Sequence, residues 1–278
     1  MPTTYAHHHF GSMVLDLMED KFSSIILAHR DFFEIGVHGP DIFFYYDPFQ
    51  KNDINEYGNH LHDIGARQFF ENSRTVYRSF PEKEEMLSYL CGFLSHFVFD
   101  SMAHGYVEKK KEESGISHNL IESQLDGHLI KKDGFDPISF DRSAFFDAKK
   151  QICDIIDRFF EYPASYQSVK NQKFFLKLLR APNHFSQKFK LGILRRYPSL
   201  RDLVVREDTV LPCLDSNLRL EKIEVKAGIL FSKLFKNYYD YLNGEGELDP
   251  YFDNTFSFDE SYRDILVLTY NEEQNYLL

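Results

Sequence analysis

The chain has 278 residues, 43% of them hydrophobic and 16% aromatic, with 28 Phe and 17 Tyr but no Trp; this excludes a disordered chain and leaves room for a substantial core. Its net charge is −11, with basic residues scattered or interleaved with acids as in the run from Glu108 to Glu113, which argues against gripping a nucleic-acid backbone. Three well-separated cysteines, Cys91, Cys153 and Cys213, make no disulfide framework and suit a reducing cytoplasm.

The pattern is helical almost throughout. The N-terminus has neither a basic segment nor an apolar signal core, so no secretion signal is expected. Residues 10–29 read as a first helix, with Met13, Leu17, Ile25 and Ile26 among its apolar positions; Asp31 to Gly36 gives a short turn of helix that Gly39-Pro40 breaks. An aromatic run, Phe43 to Tyr46, reads as core, with a lipid-chain cleft as the alternative. Helices are expected at 58–77, 82–111 and 116–131, then a break at Lys131-Lys132-Asp133-Gly134-Phe135-Asp136-Pro137. Further helices are expected near 142–160, 165–179, 182–195, 218–243 and 259–269. Leu203 to Val210 is the best strand-like exception. The expectation is one all-α domain over 1–278, a multi-helix bundle in which 1–135 carries the site and 136–278 packs on it without a site of its own.

Between Met86 and Val107 the chain runs 22 residues with one formal charge, Asp100, flanked at four-residue intervals by His96 and His104. Four residues on a helix turn about 400°, so each step drifts only ~40° and the three side chains share a narrow wedge. The other positions are largely apolar, which predicts a buried helix, and a carboxylate with two imidazoles there needs compensation that metal ions supply. The length would also suit a membrane span, but Asp100 and two histidines would be expensive in lipid. His96 and His104 lie ~12 Å apart along the axis, too far to share one ion, so a site with more than one metal and a carboxylate bridge is the economical reading.

Just downstream, His118 and Glu122 form an i, i+4 pair behind Ser117, a good N-cap; with His104 they would make three ligands and leave a position for water. Upstream, Asp41 follows the Gly-Pro turn, Asp47 also sits beside a proline, and His60 and His62 compete as ligands. His7, His8 and His9 point ~100° apart from one to the next, so one of the three would face a site. Each pair alone also reads as a hydrogen-bonded structural pair. His29, His128 and His184 read as surface or locally bonded imidazoles, and His38 as a neighbour of the ligands rather than one of them.

These pieces, Met-Pro-Thr-Thr-Tyr-Ala-His7 with Phe10-Gly11, Ile35-Gly-Val-His-Gly-Pro-Asp41, Gly58-Asn-His-Leu-His62, Gly92 through His96 and Asp100 to His104, and Ser117-His-Asn-Leu-Ile-Glu122, resemble the bacterial zinc-dependent phospholipase C family, in particular its signal-less cytoplasmic branch. The resemblance covers roughly the first half of the chain. It implies an all-α scaffold holding zinc. Carried over by motif, Asp41, His62, His96 and Asp100 would hold one ion, His104, His118 and Glu122 a second, and His7 with the bridging Asp100 a third. Secreted relatives complete the third site with an N-terminal tryptophan, absent here, so two or three Zn2+ ions are expected. The implied activity is hydrolysis of a phospholipid by a metal-activated water, with Asp41 and Asp100 as the catalytic carboxylates. A soluble phosphoester as substrate, a zinc nuclease and a non-catalytic metal-binding protein are the alternatives.

Overall fold

In the computed structural model, which describes residues 4–206 and 213–277, the described residues are helical almost throughout and contain no strand. The organising element is the predicted central helix, α6 (Lys83–Ser114), 32 residues long. Its positions from Met86 to Asp100 are all buried, as a helix without a polar face requires, and Ala103, Tyr106, Val107 and Lys110 continue the buried side. It stops at Gly115, whose φ of +70° is a left-handed cap that glycine adopts without strain.

Around α6 lie α1 (Thr4–Asp16), α2 (Asp20–Ala28), α3 (Arg30–Gly36), α4 (Asp53–Asp63), α5 (Arg67–Ser79) and α7 (His118–Lys132). Later come α8 (Lys150–Ile156), α9 (Ser165–Leu179), α10 (His184–Ile193), α11 (Pro198–Asp202), α12 (Leu214–Asn243) and α13 (Tyr270–Asn275). Two glycines seat α3 on α6. A methyl group at Gly36 would collide with the Tyr89 carbonyl, and one at Gly92 with the Phe33 carbonyl, so the two backbones touch. The second long helix, α12, packs along α6 and ends at Gly244, again left-handed at φ +94°. Stacked and edge-on rings fill the space between, among them Phe69 on Phe93 at 3.9 Å and Phe70 on Tyr238 at 4.9 Å. Phe43 and Tyr45 are core, as expected of the aromatic run.

The element boundaries depart from expectation where tertiary partners decide them. The single helix expected at 10–29 is two, α1 and α2, and α1 begins six residues earlier. Its first amides, those of Tyr5 and Ala6, donate to Asp126 from across the molecule, a cap no local pattern announces. The helix expected at 58–77 is also two. Asn52 caps α4 early by accepting from the amides of Ile54 and Asn55, and Ala66 N–H donates to Asn254 O where the chain breaks before α5. Residues 142–160 carry only α8 between two short 3-10 turns. The stretch expected as helix at 259–269 holds a 3-10 turn, Glu260–Asp264, and the helix comes after it as α13, behind a Thr269–Glu272 capping box. Of the strand-like stretch Leu203–Val210, residues 203–206 are irregular and 207–210 lie outside the described residues.

Candidate metal centre

Helix α6 carries His96, Asp100 and His104 on one face, as the four-residue spacing requires. Asp100 stands at the middle. Its Oδ2 is 3.0 Å from His96 Nε2, and its Oδ1 is 3.2 Å from His7 Nε2 and 3.8 Å from His104 Nε2. Helix α1 supplies His7, aimed inward by the Asp126 cap two residues upstream; Asp126 is itself held by Arg142 Nη1 at 2.8 Å. The two following histidines are turned away: His8 pairs with Glu34 at 2.8 Å and His9 with Glu224 at 2.6 Å.

Asp41 sits in a 3-10 turn, Gly39–Tyr45, that Pro40 starts. Gly39, at φ +50°, lies flat against the His96 ring, leaving no space for a side chain. Asp41 Oδ1 is 3.0 Å from His62 Nε2, and its Oδ2 is 4.0 Å from His96 Nε2. His60 is exposed on the other side of α4, and Asp47 belongs to none of the clusters among the described residues. At the far end, His104 Nε2 and His118 Nε2 approach Glu122 Oε1 at 3.6 and 2.8 Å.

The eight residues thus fall into three groups: His7–His96–Asp100, Asp41–His62–His96 and His104–His118–Glu122. Within each, the donor atoms lie within 4.8 Å of one another, close enough that small side-chain adjustments would let bonds of about 2 Å meet at one ion. The remaining histidines have other partners: His29 faces Glu84, and His128 Nε2 donates to Glu221 at 2.7 Å. His38 is buried against Phe146, near His7 and His96 but outside the three groups.

The tautomers are legible from the backbone. His62 Nδ1 bonds Gly58 O at 2.7 Å, His96 Nδ1 bonds Val37 O at 3.1 Å and His104 Nδ1 bonds Phe256 O at 2.7 Å. A carbonyl can only accept, so each Nδ1 carries a proton, which leaves Nε2 as the nitrogen that can offer a lone pair to a metal on the side of the carboxylates. His96 Nε2 is fully buried and has no hydrogen-bond partner, although Asp100 Oδ2 lies 3.0 Å away; Glu122 Oε2 is buried and unpartnered too. Lone pairs facing carboxylates in a dry interior repel unless a cation lies between them. No lysine or arginine pairs with Asp41, Asp100 or Glu122 among the described residues. Imidazole nitrogens and carboxylate oxygens without thiolates are a donor set that suits zinc. The residues fit the ion on these grounds.

The electrostatics of the metal-free chain agree. Burial pushes the Asp41 carboxyl up, but His62 and His96 outweigh it and hold the group at about 2. Burial likewise opposes ionisation of Asp100 and Glu122, and their imidazole neighbours bring both well below the usual range. His104 is pushed down by burial and raised further by Asp100 and Glu122, to about 9. Without a metal the cluster would hold protons where a cation belongs.

A family model described as zinc dependent phospholipase C matches residues 6–184. The chain belongs to that family. No curated protein and no solved structure matches it. The stretch matched by the zinc-dependent phospholipase C model contains all eight clustered residues, and also Asp126 and Arg142, which sequence reasoning passed over. Asp126 stands one helical turn beyond Glu122, and that spacing was the available signal. Phe256 lies outside the matched stretch and contributes through its main chain, which no side-chain pattern could announce. Among the described residues no helix is long and apolar enough to cross a membrane.

Proposed function

We propose that the chain is a phosphodiesterase of phospholipids that breaks the P–O bond on the glycerol side, releasing diacylglycerol and a phosphorylated headgroup. The observation that carries the reading is the convergence of the Nε2 atoms of His7, His96 and His104 on the two oxygens of Asp100, deep in the protein, with the Nδ1 atoms of His96 and His104 tied to backbone carbonyls. His7, Asp41, His62, His96, Asp100, His104, His118 and Glu122 are the proposed ligands, with Asp100 shared. Zinc, when bound, would polarise the phosphoryl oxygens and lower the pKa of water to near neutrality.

The chain's own groups do the rest. Asp41, whose Oδ1 lies 3.0 Å from His62 Nε2, would take a proton from the attacking water, and that proton would pass to the glycerol oxygen as the P–O bond breaks. Phe44, stacked on His62 at 5.1 Å, and Phe256, beside His62 and His96, wall the cluster off from bulk water on their sides. His118 is the most exposed of the eight, so substrate enters from the side of α7.

The test is direct. Protein purified without chelator is analysed for zinc per chain, then assayed with phosphatidylcholine and with single-stranded DNA in parallel. Two or three zinc ions and diacylglycerol release support the reading. Cleavage of DNA alone would replace it with a nuclease, and zinc without turnover of any phosphoester would leave a metal-binding protein.

A further inference from the structure

Helix α10 is inside out. A helix that builds a core turns its apolar stripe inward. Here the buried position is Gln187, whose amide donates to Val205 O at 2.6 Å, while Phe185, Phe189 and Ile193, spaced i, i+4 and i+8, are 82%, 68% and 60% exposed. Phe174 and Leu178 of α9 and Phe49 are exposed as well, and an apolar groove of about 500 Å³ runs between these elements. Exposed apolar surface this contiguous marks a docking face.

The charge on the same segment is opposite to that of the whole. From Lys170 to Arg206 there are ten lysines and arginines and one acid, Asp202, in a chain of net charge −11. The basic residues are therefore not evenly scattered, as the composition alone suggested. Lys177, Arg180, Lys188, Arg195 and Arg196 are exposed on α9, α10 and the turn after it. The face also adjoins the metal centre. Ser117, the cap of α7, donates to Asp202 at 2.6 Å beside His118, and Leu179 of the groove also lines a small cavity reaching Tyr45 and Glu122.

We propose that this face docks the protein on a bilayer containing anionic phospholipids, the rings and Ile193 entering the headgroup–acyl boundary and the cations meeting lipid phosphates. An exposed aromatic and aliphatic stripe among lysines and arginines is the composition of an interfacial helix, and the phosphate charge complements it. A nucleic acid would use the cations but not the aliphatic stripe. The inference gains its purpose from the phospholipid reading above and rests on it in that sense, since it places the exposed end of the proposed centre beside the lipid.

The test measures binding apart from cleavage. The protein, its Phe185→Ser/Phe189→Ser variant and its Lys188→Glu/Arg195→Glu/Arg196→Glu variant are sedimented with vesicles of phosphatidylcholine alone or with one-third phosphatidylglycerol. Each is also assayed on monomeric short-chain phosphatidylcholine. The parent is expected to bind the anionic vesicles, and either variant to bind at least about tenfold more weakly, with unchanged melting temperature and unchanged hydrolysis of the monomeric lipid. Binding by the parent that 0.5 M salt does not weaken, or equal binding by the variants, overturns the proposal. So does a parent dimer in sedimentation velocity that Phe185→Ser/Phe189→Ser dissociates, or preferential binding of a single-stranded oligonucleotide. Vesicle binding without hydrolysis of any phospholipid would keep this proposal and defeat the functional one; hydrolysis without vesicle binding would do the reverse.

Discussion

His104 Nδ1 donates to the carbonyl of Phe256, 152 residues further along the chain, at 2.7 Å. That bond fixes the tautomer of a proposed ligand from outside the stretch that the family model matches. A hydrogen bond that orients a metal-binding imidazole in this way is typically worth 10- to 100-fold in metal affinity. Phe256→Ala keeps that carbonyl but removes the ring that anchors it on Phe93 and Phe97, so it is expected to cost about 3–5 kcal/mol of stability, and to weaken zinc binding only as far as the main chain shifts away from His104. Zinc affinity by chelator competition and thermal melting of the metal-free form separate the two effects.

Asp100→Asn removes the oxygen charge that three imidazoles share. Zinc content is expected to fall and hydrolysis to drop by at least about a thousandfold, since each metal contributes several kcal/mol of transition-state stabilisation. The metal-free variant should also melt lower, because the imidazoles lose their buried counter-charge. Elemental analysis with melting on the same preparation checks this, and retained zinc with full turnover would refute the bridging role.

Gly39→Ala places a methyl group against the His96 ring and forces φ +50° on a residue with a Cβ. The backbone cost is about 1–2 kcal/mol, but the larger effect is expected at the metal, because His96 belongs to two of the three groups. The variant should lose more zinc than stability, read as zinc per chain on protein that still melts cooperatively.

The pH dependence of stability should change sign on chelation. In the metal-free chain the raised value of His104, about 9, means its contribution is fully present below its ordinary 6.5 and is lost as pH rises through 9. The shift corresponds to at most about 3 kcal/mol. With zinc bound the ligands must be deprotonated, so stability instead falls as pH drops and protons compete for them. Melting curves from pH 6 to 10, with and without chelator, should slope in opposite directions.

Asp126→Ala uncaps α1 and leaves Arg142 buried without its partner. The expected loss is about 3–5 kcal/mol, and His7 loses its aim. Asp126→Asn, which keeps one acceptor for the amides of Tyr5 and Ala6, should recover much of the stability. The comparison of melting temperatures of the two variants decides it.

The central helix was readable because its signals are local: an apolar run, one acid, and two histidines four residues away on either side. The same holds for α9, whose bounds match the expected 165–179, and for the His118–Glu122 pair behind its Ser117 cap. What pattern reading missed was set at a distance. The start of α1 depends on Asp126, and the break between α4 and α5 on the Asn254 carbonyl. The Gly58-x-x-x-His62 spacing favours His62 over His60, and it is the rotation of α4 against the Asp41 turn that faces His62 inward. The basic, outward-facing α10 was legible in composition but was averaged away in the net charge.

The Asp126 cap bears on how the protein comes into being on the ribosome. Helix α1 is translated first, yet the carboxylate and guanidinium that hold its leading turn emerge more than a hundred residues later. His7 therefore waits, unplaced, until α7 and Arg142 have been made, and premature capture of a metal by the nascent N-terminal histidines has no finished cradle to lodge in.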